Sequence, residues 1–188
     1  MTKRLAFLYI AEAYQTYHNA SVAFDLAARP EFSVEIFYSD PETPEHIERI
    51  RKACDGKPIA MHRLARSPLV RAVQSLRMLG FWKERVMREN AAALNRFDAI
   101  VTSEATDAYL RKVGLDRPLL VYTPHGAGDR KVGYLPETAD FDFVTPPGQK
   151  CAARMLQEGL IRQGHYAVPG YIKFEVAERL ARDSGPIF

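Results

Sequence analysis

Residues 123–130, Thr-Pro-His-Gly-Ala-Gly-Asp-Arg, have the residue types best suited to chemistry. They follow a short apolar run that is typical of a buried strand. Imidazole titrates near neutral pH, so His125 could act as a general base, with Asp129 orienting its ring. Accessible backbone N–H groups at Gly126 and Gly128 and the guanidinium of Arg130 could bind an anion such as phosphate. We predict a catalytic and phosphate-binding loop, although a glycine turn with an ordinary exposed histidine would look the same.

A second polar segment, residues 12–19, separates the first apolar run from a helical pattern. The N-terminus of a helix attracts anions through its free N–H groups and its dipole. The segment lacks the GxGxxG spacing of a dinucleotide-binding loop. We predict ligand contacts from three of its side chains, Tyr14, Thr16 and His18. An equally good interpretation is that Asn19 caps the helix while the tyrosines pack.

A third segment, Thr-Ser-Glu at residues 102–104, follows another apolar run. Ser103 and Glu104 could both form hydrogen bonds to a ligand, and we include them among the candidate substrate contacts. Capping of the following helix by Ser103 is the simpler interpretation, because serine is a favoured N-cap residue.

Residues 63–96 contain eight arginine or lysine side chains and only two glutamates, with Phe-Trp in their middle. A basic amphipathic helix with exposed aromatic side chains can lie on an anionic membrane surface. The candidate membrane contacts are Arg77, Phe81, Trp82 and Arg85. A core helix with a solvated basic face is the alternative.

These segments must be positioned by the regular elements around them, and apolar runs of strand length alternate with helical patterns along the chain. The predicted strands are 5–10, 32–38, 59–64, 97–102, 119–123, 141–145 and 166–168, and the predicted helices are 19–29, 44–54, 67–96, 106–113, 148–159 and 171–182. This alternation predicts an α/β fold, a Rossmann-like three-layer sandwich with a mostly parallel sheet. Ligands of such sheets bind beyond the carboxyl ends of the strands, where the candidate loops lie.

The overall composition narrows the function classes. The 188 residues are 47% hydrophobic and carry a net charge of +3, which is too small by itself to indicate a nucleic-acid partner. No apolar window is long enough for a membrane span, and two cysteines indicate neither a disulfide framework nor a zinc site. We therefore expect a cytoplasmic protein. We predict one domain over 1–182, with 183–188 starting an interdomain linker at which a longer protein is truncated.

Three pieces of sequence are informative together: His125-Gly126, Val144-Thr145-Pro146, and the Val-Pro-Gly-Tyr-Ile-Lys-Phe run at 168–174. They resemble the N-terminal domain of GT-B type transferases, one half of a GT-B fold. The resemblance is nearest to the CDP-glycerol glycerophosphotransferases of teichoic acid and related cell-envelope polymer synthesis. UDP-N-acetylglucosamine 2-epimerases share the same half-fold. The run continues as Gly-Tyr-Ile-Lys-Phe-Glu, which is similar to the GxPKFD stretch that precedes the second domain in these proteins.

The resemblance implies an enzyme whose acceptor-binding half is this chain, with His125 as the base that deprotonates the acceptor hydroxyl and Thr145 among the substrate contacts. It implies a nucleotide-activated donor held mainly by a missing second domain, and a phosphorylated or lipid-linked acceptor at the inner membrane face. No metal or cofactor is required, because cationic side chains and helix N-termini can stabilise leaving phosphates. The family often has a tryptophan before His-Gly, where this sequence has Thr123-Pro124.

Two alternatives remain open from the sequence. One is an epimerase-like domain, which would release a free sugar and need no lipid. The other is a non-catalytic module that binds a phosphorylated ligand or an anionic membrane surface.

Overall fold

A computed structural model describes residues 1–67, 81–126, 128 and 133–183. Its sheet has six strands, β1 (Lys3–Tyr9), β2 (Phe32–Tyr38), β3 (Ala60–Arg63), β4 (Ala99–Thr102), β5 (Leu119–Tyr122) and β6 (Phe143–Val144). The strand order is β3-β2-β1-β4-β5-β6, and every pairing of these strands is parallel. Helices flank the sheet, so the Rossmann-like α/β prediction is confirmed.

The described helices are α1 (Ala20–Ala27), α2 (Thr43–Ala53), α3 (Phe81–Leu94), α4 (Gln149–Gln157) and α5 (Ile172–Asp183). Further segments form 3-10 helices, at Ala13–His18, Ala105–Val113 and Pro136–Asp140. The helix predicted over 67–96 is observed as α3 in its second half, whereas 68–80 lie outside the described residues. None of the helices in the described ranges is both long and apolar enough to cross a membrane.

The predicted strand at 166–168 is reduced to one bridge, between Val144 and Tyr166. Its partner β6 is only two residues long, because Pro146 and Pro147 follow and proline has no N–H to donate to a ladder. The predicted helix at 106–113 is observed one residue longer as a 3-10 helix, and it ends at Gly114 with φ of +96°, a conformation that glycine adopts readily.

The core lies on both faces of the sheet because side chains alternate along each strand. In β1, Ala6 and Leu8 join a buried cluster with side chains of α3 and α4, whereas Phe7 joins a second cluster on the other face. That second cluster includes residues from α1, α2 and α5, among them the fully buried Val176. The helices therefore cover the sheet on both sides, which leaves the strand ends as the accessible polar surface.

The strand order reverses between β1 and β4, whose connections run to opposite sides of the sheet. The register aligns Leu8 of β1 with Thr102 of β4, and Thr102 with Tyr122 of β5. These three strands therefore end level with one another, and the residues that follow them meet at one edge. Such a reversal opens a crevice outside the carboxyl ends of a parallel sheet, where ligands of this fold class bind.

Candidate functional site

A buried hydrogen-bond network joins the ends of β1, β4 and β5. The Tyr9 hydroxyl donates to Asn19 Oδ1 at 2.6 Å, and Asn19 Nδ2 donates to Thr123 Oγ1 at 2.7 Å. The Thr123 hydroxyl donates in turn to the Thr102 carbonyl at 3.1 Å. The Asn19 side chain is fully buried and makes no side-chain cap to α1. The network therefore fixes the loops that carry the candidate site relative to one another.

We expect Asn19→Ala to lower the free energy of unfolding by about 2–4 kcal/mol, because it leaves buried Tyr9 and Thr123 hydroxyls without this partner. Urea denaturation followed by circular dichroism measures the change. Gln157→Ala, at an exposed position of α4, is the matched control and should stay within about 0.5 kcal/mol of the parent. A loss for Asn19→Ala no larger than that of the control would contradict the role of the network.

The centre of the site is an imidazole beside a carboxylate. His125 Nε2 lies 3.5 Å from Glu104 Oε1, and the same oxygen accepts a hydrogen bond from the amide of Gln15. The His125 side chain is 41% exposed, so a ligand can reach it, whereas Glu104 is 20% exposed and held in place. A carboxylate at Nε2 favours the proton on that nitrogen and leaves the lone pair on Nδ1. The arrangement can therefore accept a proton from a ligand and return it.

A second histidine lies behind the first. The centre of the His18 ring is 5.9 Å from that of His125 and 6.1 Å from that of Tyr171. The Tyr171 hydroxyl donates a hydrogen bond to the His125 carbonyl at 3.1 Å. His18 is 4% exposed, and its Nδ1 has no hydrogen-bond partner within the described part of the chain. Burial, with smaller contributions from the charges of Lys173 and His125, lowers the pKa of His18 to about 4. A neutral imidazole with an unused nitrogen is thus available at the site.

This shift makes stability depend on pH. The folded-state pKa of His18 is about 4 and the unfolded value is 6.5, so between these values the unfolded chain binds more protons. The contribution of His18 is therefore destabilising as pH falls from 6.5 towards 4 and is absent above 6.5. We expect His18→Gln to show a smaller loss of stability on going from about pH 7 to about pH 5 than the parent, measured as urea midpoints. The control is His165→Gln at an exposed turn, and equal losses in the parent and His18→Gln would contradict the assignment.

The other predicted contacts occupy varied positions. Tyr14 is half exposed at the rim, and a hydrogen bond to Glu12 raises its pKa to about 12. The Thr16 hydroxyl donates to the Ala13 carbonyl at 2.8 Å, and that of Thr145 donates to the Tyr122 carbonyl at 3.3 Å, so both already have partners in the fold. The fully buried Ser103 has no partner for its hydroxyl among the residues described.

The glycine loop is only partly described. A Cβ added at Gly126 or Gly128 would meet nothing within 4 Å, so ligand atoms can approach the backbone there. The remaining members of the predicted loop, Asp129 and Arg130, lie outside the described residues. Among the described residues, a carboxylate near His125 is that of Glu104, which the sequence predicts as a substrate contact.

The predicted membrane contacts are also only partly described, since Arg77 and the side chain of Phe81 are outside the described set. Trp82 is half buried, packs against the core, and has the guanidinium of Arg66 5.9 Å above its ring. Arg85 pairs with Glu89 one turn along α3 at 2.9 Å. Contact with a membrane stays a prediction.

A cleft of about 500 Å³ lies beside Glu104 on the α3 side, and His125 is not among its lining residues. Its lining combines the aromatic rings of Trp82 and Tyr109 with polar groups, among them Lys83 and Glu104. In the sequence, Lys83 looks like one of many surface cations in a basic stretch, and Gln15 looks like an ordinary loop residue. Neither has a local sequence signal for a site, because only the fold brings both to Glu104.

The sequence itself matches no protein-family model, and no curated protein matches it. Solved structures do share its fold. A UDP-N-acetylglucosamine 2-epimerase superposes with a TM-score of 0.66 at 12% identity, covering 99% of this chain and 51% of the epimerase. The S. aureus MnaA–UDP co-structure superposes with a TM-score of 0.64 at 12% identity, covering 98% of this chain and 49% of MnaA. The UDP-GlcNAc 2-epimerase from Neisseria meningitidis bound to UDP-GlcNAc superposes with a TM-score of 0.61 at 10% identity, covering 94% of this chain and 48% of the epimerase.

The chain therefore spans about half the length of these structures, and the similarity is one of fold. The expectation of one Rossmann-like half of a GT-B type fold is confirmed. The narrower resemblance to CDP-glycerol glycerophosphotransferases is not shown, because the similar structures described above are those of epimerases and of a UDP complex.

Proposed function

We propose that this chain is one half of an enzyme acting on nucleotide-activated sugars, and that His125 moves a proton in its reaction. The observation that carries the proposal is the placement of His125 against Glu104, at the edge where β1, β4 and β5 end together. An imidazole with a carboxylate oxygen 3.5 Å from one ring nitrogen is suited to acid–base work near neutral pH. The site also lies at the crevice where sheets with this strand order bind nucleotides.

The favoured reaction is inversion at carbon 2 of a UDP-linked sugar. The structures of similar fold include UDP-N-acetylglucosamine 2-epimerases, one bound to UDP-GlcNAc, and another structure contains UDP. On an acid–base route, inverting a carbon that bears hydrogen removes its proton and leaves the electron pair of the C–H bond on the sugar. That electron pair then forms a new C–H bond with a proton that arrives on the opposite face. His125 is proposed to take part in one of these transfers, with Glu104 orienting its ring.

The second candidate is transfer of a glycerol-phosphate or sugar unit to an acceptor, and its supporting observation is the His125-Gly126 pair after β5. In that reaction His125 takes the proton of the acceptor hydroxyl, the hydroxyl oxygen bonds to the transferred group, and the nucleotide leaves with the electrons of the broken bond. A phosphorylated or lipid-linked acceptor and peripheral attachment to the inner membrane face belong to this candidate. For both candidates we propose that a second domain holds most of the nucleotide.

Product analysis in heavy water separates the candidates. The complete natural protein is incubated with UDP-GlcNAc in deuterium oxide, and separately with CDP-glycerol and an acceptor polyol, and products are followed by proton NMR and mass spectrometry. Epimerisation gives an inverted sugar with deuterium at carbon 2. Transfer gives a new ester or glycosidic bond without exchange at carbon 2. Binding of UDP with no product from either mixture would instead support a non-catalytic module and overturn the enzymatic proposal.

A further inference from the structure

The two carboxylate oxygens of Glu104 are used in different directions. Oε1 faces His125 and accepts from Gln15, whereas Oε2 accepts from the ammonium of Lys83 at 3.3 Å. A glutamate side chain has several rotatable bonds, so a hold on one oxygen alone leaves the carboxylate free to turn about it. Contacts on both oxygens fix the plane of the carboxylate and hence the direction in which Oε1 points.

Lys83 is itself tightly placed. It reaches from α3 towards the strand ends with its side chain 13% exposed, and its Nζ lies 2.7 Å from Thr106 Oγ1 and 2.9 Å from Asp107 Oδ1. Asp107 is fully buried and accepts a hydrogen bond from the Thr102 hydroxyl at the end of β4. Besides Glu104, the ammonium thus contacts the Thr106 hydroxyl and the Asp107 carboxylate on the segment that follows β4, and it loses both contacts if it swings away from Glu104.

The charges of this group favour a fixed cation. Burial lowers the pKa of Lys83, but the Asp107 and Glu104 carboxylates outweigh it and the pKa is raised overall. Burial raises the pKa of Asp107 in spite of the nearby ammonium. The two directions agree, because two carboxylates share one cation and the more deeply buried carboxyl loses its charge more readily. Lys83 therefore remains charged and available to Glu104 at working pH.

Stability alone is a weak reason for such a buried pair, since apolar side chains of similar volume often stabilise as well. We propose that Lys83 is a positioning residue, whose ammonium fixes Glu104 so that Oε1 of this carboxylate orients His125. This inference rests on the proposed proton-transfer role of His125. It adds to that role a contact between Lys83 and Glu104, through which Lys83 in α3 acts on His125 after β5.

The test compares Asp107→Asn with the double variant Lys83→Met/Asp107→Asn. Asparagine keeps an acceptor for the Thr102 hydroxyl and removes the buried charge, so both variants lack the ion pair between Lys83 and position 107 and differ only at Lys83. In Asp107→Asn, Lys83 retains Thr106 and Glu104 as acceptors. Arg85→Met removes a charge from an exposed position of the same helix and serves as the control for net charge.

The readout is the pair of ring-nitrogen resonances of His125 in histidine-labelled protein at about pH 8.5, two units above the usual pKa of imidazole. The Glu104→Gln variant measures how far the ring-nitrogen resonances of His125 shift when the carboxylate is lost. We expect the double variant to reproduce at least about half of that shift, and Asp107→Asn and Arg85→Met to stay near the parent. A double variant with the parent's resonances, or a Glu104→Gln variant without any shift, overturns the proposal.

Activity gives the second measurement. If Lys83 acts through Glu104, the double variant loses about tenfold to a hundredfold in kcat relative to Asp107→Asn, with KM within about twofold. Equal kcat values for the two variants overturn the proposal. A protein that is inactive on both substrate mixtures contradicts the proposed function, and the resonances of His125 then still decide whether Lys83 controls Glu104.

Discussion

Replacing His125 by glutamine lowers turnover by about a hundredfold to ten-thousandfold, the range expected when a positioned acid–base group is lost. The side chain is 41% exposed and contributes to neither core cluster, so the fold and its stability are retained. Glutamine can still form hydrogen bonds, but it cannot accept and return a proton near neutral pH. Initial rates of the complete protein with its substrate, alongside circular dichroism and urea midpoints, measure both effects.

His165→Gln is the matched control, since His165 is exposed in the turn before Tyr166 and lies away from the three strand ends. It should retain the parent's turnover. A His125→Gln protein with turnover within about threefold of the parent would exclude His125 as the proton-transfer group, because loss of such a group costs at least about a hundredfold. Loss of both turnover and fold would show instead that His125 is needed for the structure.

Lys83→Met lowers the free energy of unfolding by about 3–5 kcal/mol, because it strands the fully buried Asp107 without its cation. This loss of unfolding free energy is larger than most single substitutions cause. It comes from the lost ion-pair partner rather than from a cavity, because methionine fills much of the space of the lysine stem. Urea denaturation at neutral pH measures it.

The control for this prediction is the double variant Lys83→Met/Asp107→Asn. When both charges are removed, position 107 no longer holds a fully buried unpaired charge and only the partly exposed Glu104 lacks its cation, so we expect more than half of the lost stability to return. A Lys83→Met protein as stable as the parent would mean that the ammonium and Asp107 are not paired in solution. A double variant no more stable than the single one would trace the loss to the packing of α3 instead.

The central strands β1 and β4 could be predicted from the sequence, because a strand buried on both faces has a continuous apolar run. β1 and β4 each appear in the predicted places, with boundaries that differ by one or two residues at their ends. The 3-10 helix at Ala13–His18 was missed, because its polar side chains have the composition of a loop. The strand at 166–168 was overpredicted, because its apolar residues pack against the core without a ladder to join.

The sequence predicted several residues of the candidate site, but it did not predict which of them contact one another. His125 and Glu104 were both singled out because each follows a strand, and strand ends meet when the sheet is parallel. The contact between Glu104 and the imidazole could not be read from the chain, and the orienting role of Asp129, which lies outside the described residues, stays a prediction. The contact with Glu104 depends on β4 and β5 being neighbours and on where each strand ends.

The sequence by itself determined the α/β fold class and the edge of the sheet at which polar residues gather, since both follow from local apolar periodicity and from the residues that end each strand. Only the tertiary structure decided that Glu104 lies between His125 and Lys83, and that His18 is buried and neutral behind them. The physical reason is that burial and pairing of charges are properties of neighbours across the sheet. Lys83 and His125 are 42 positions apart in the chain, and no local pattern records that both contact one carboxylate.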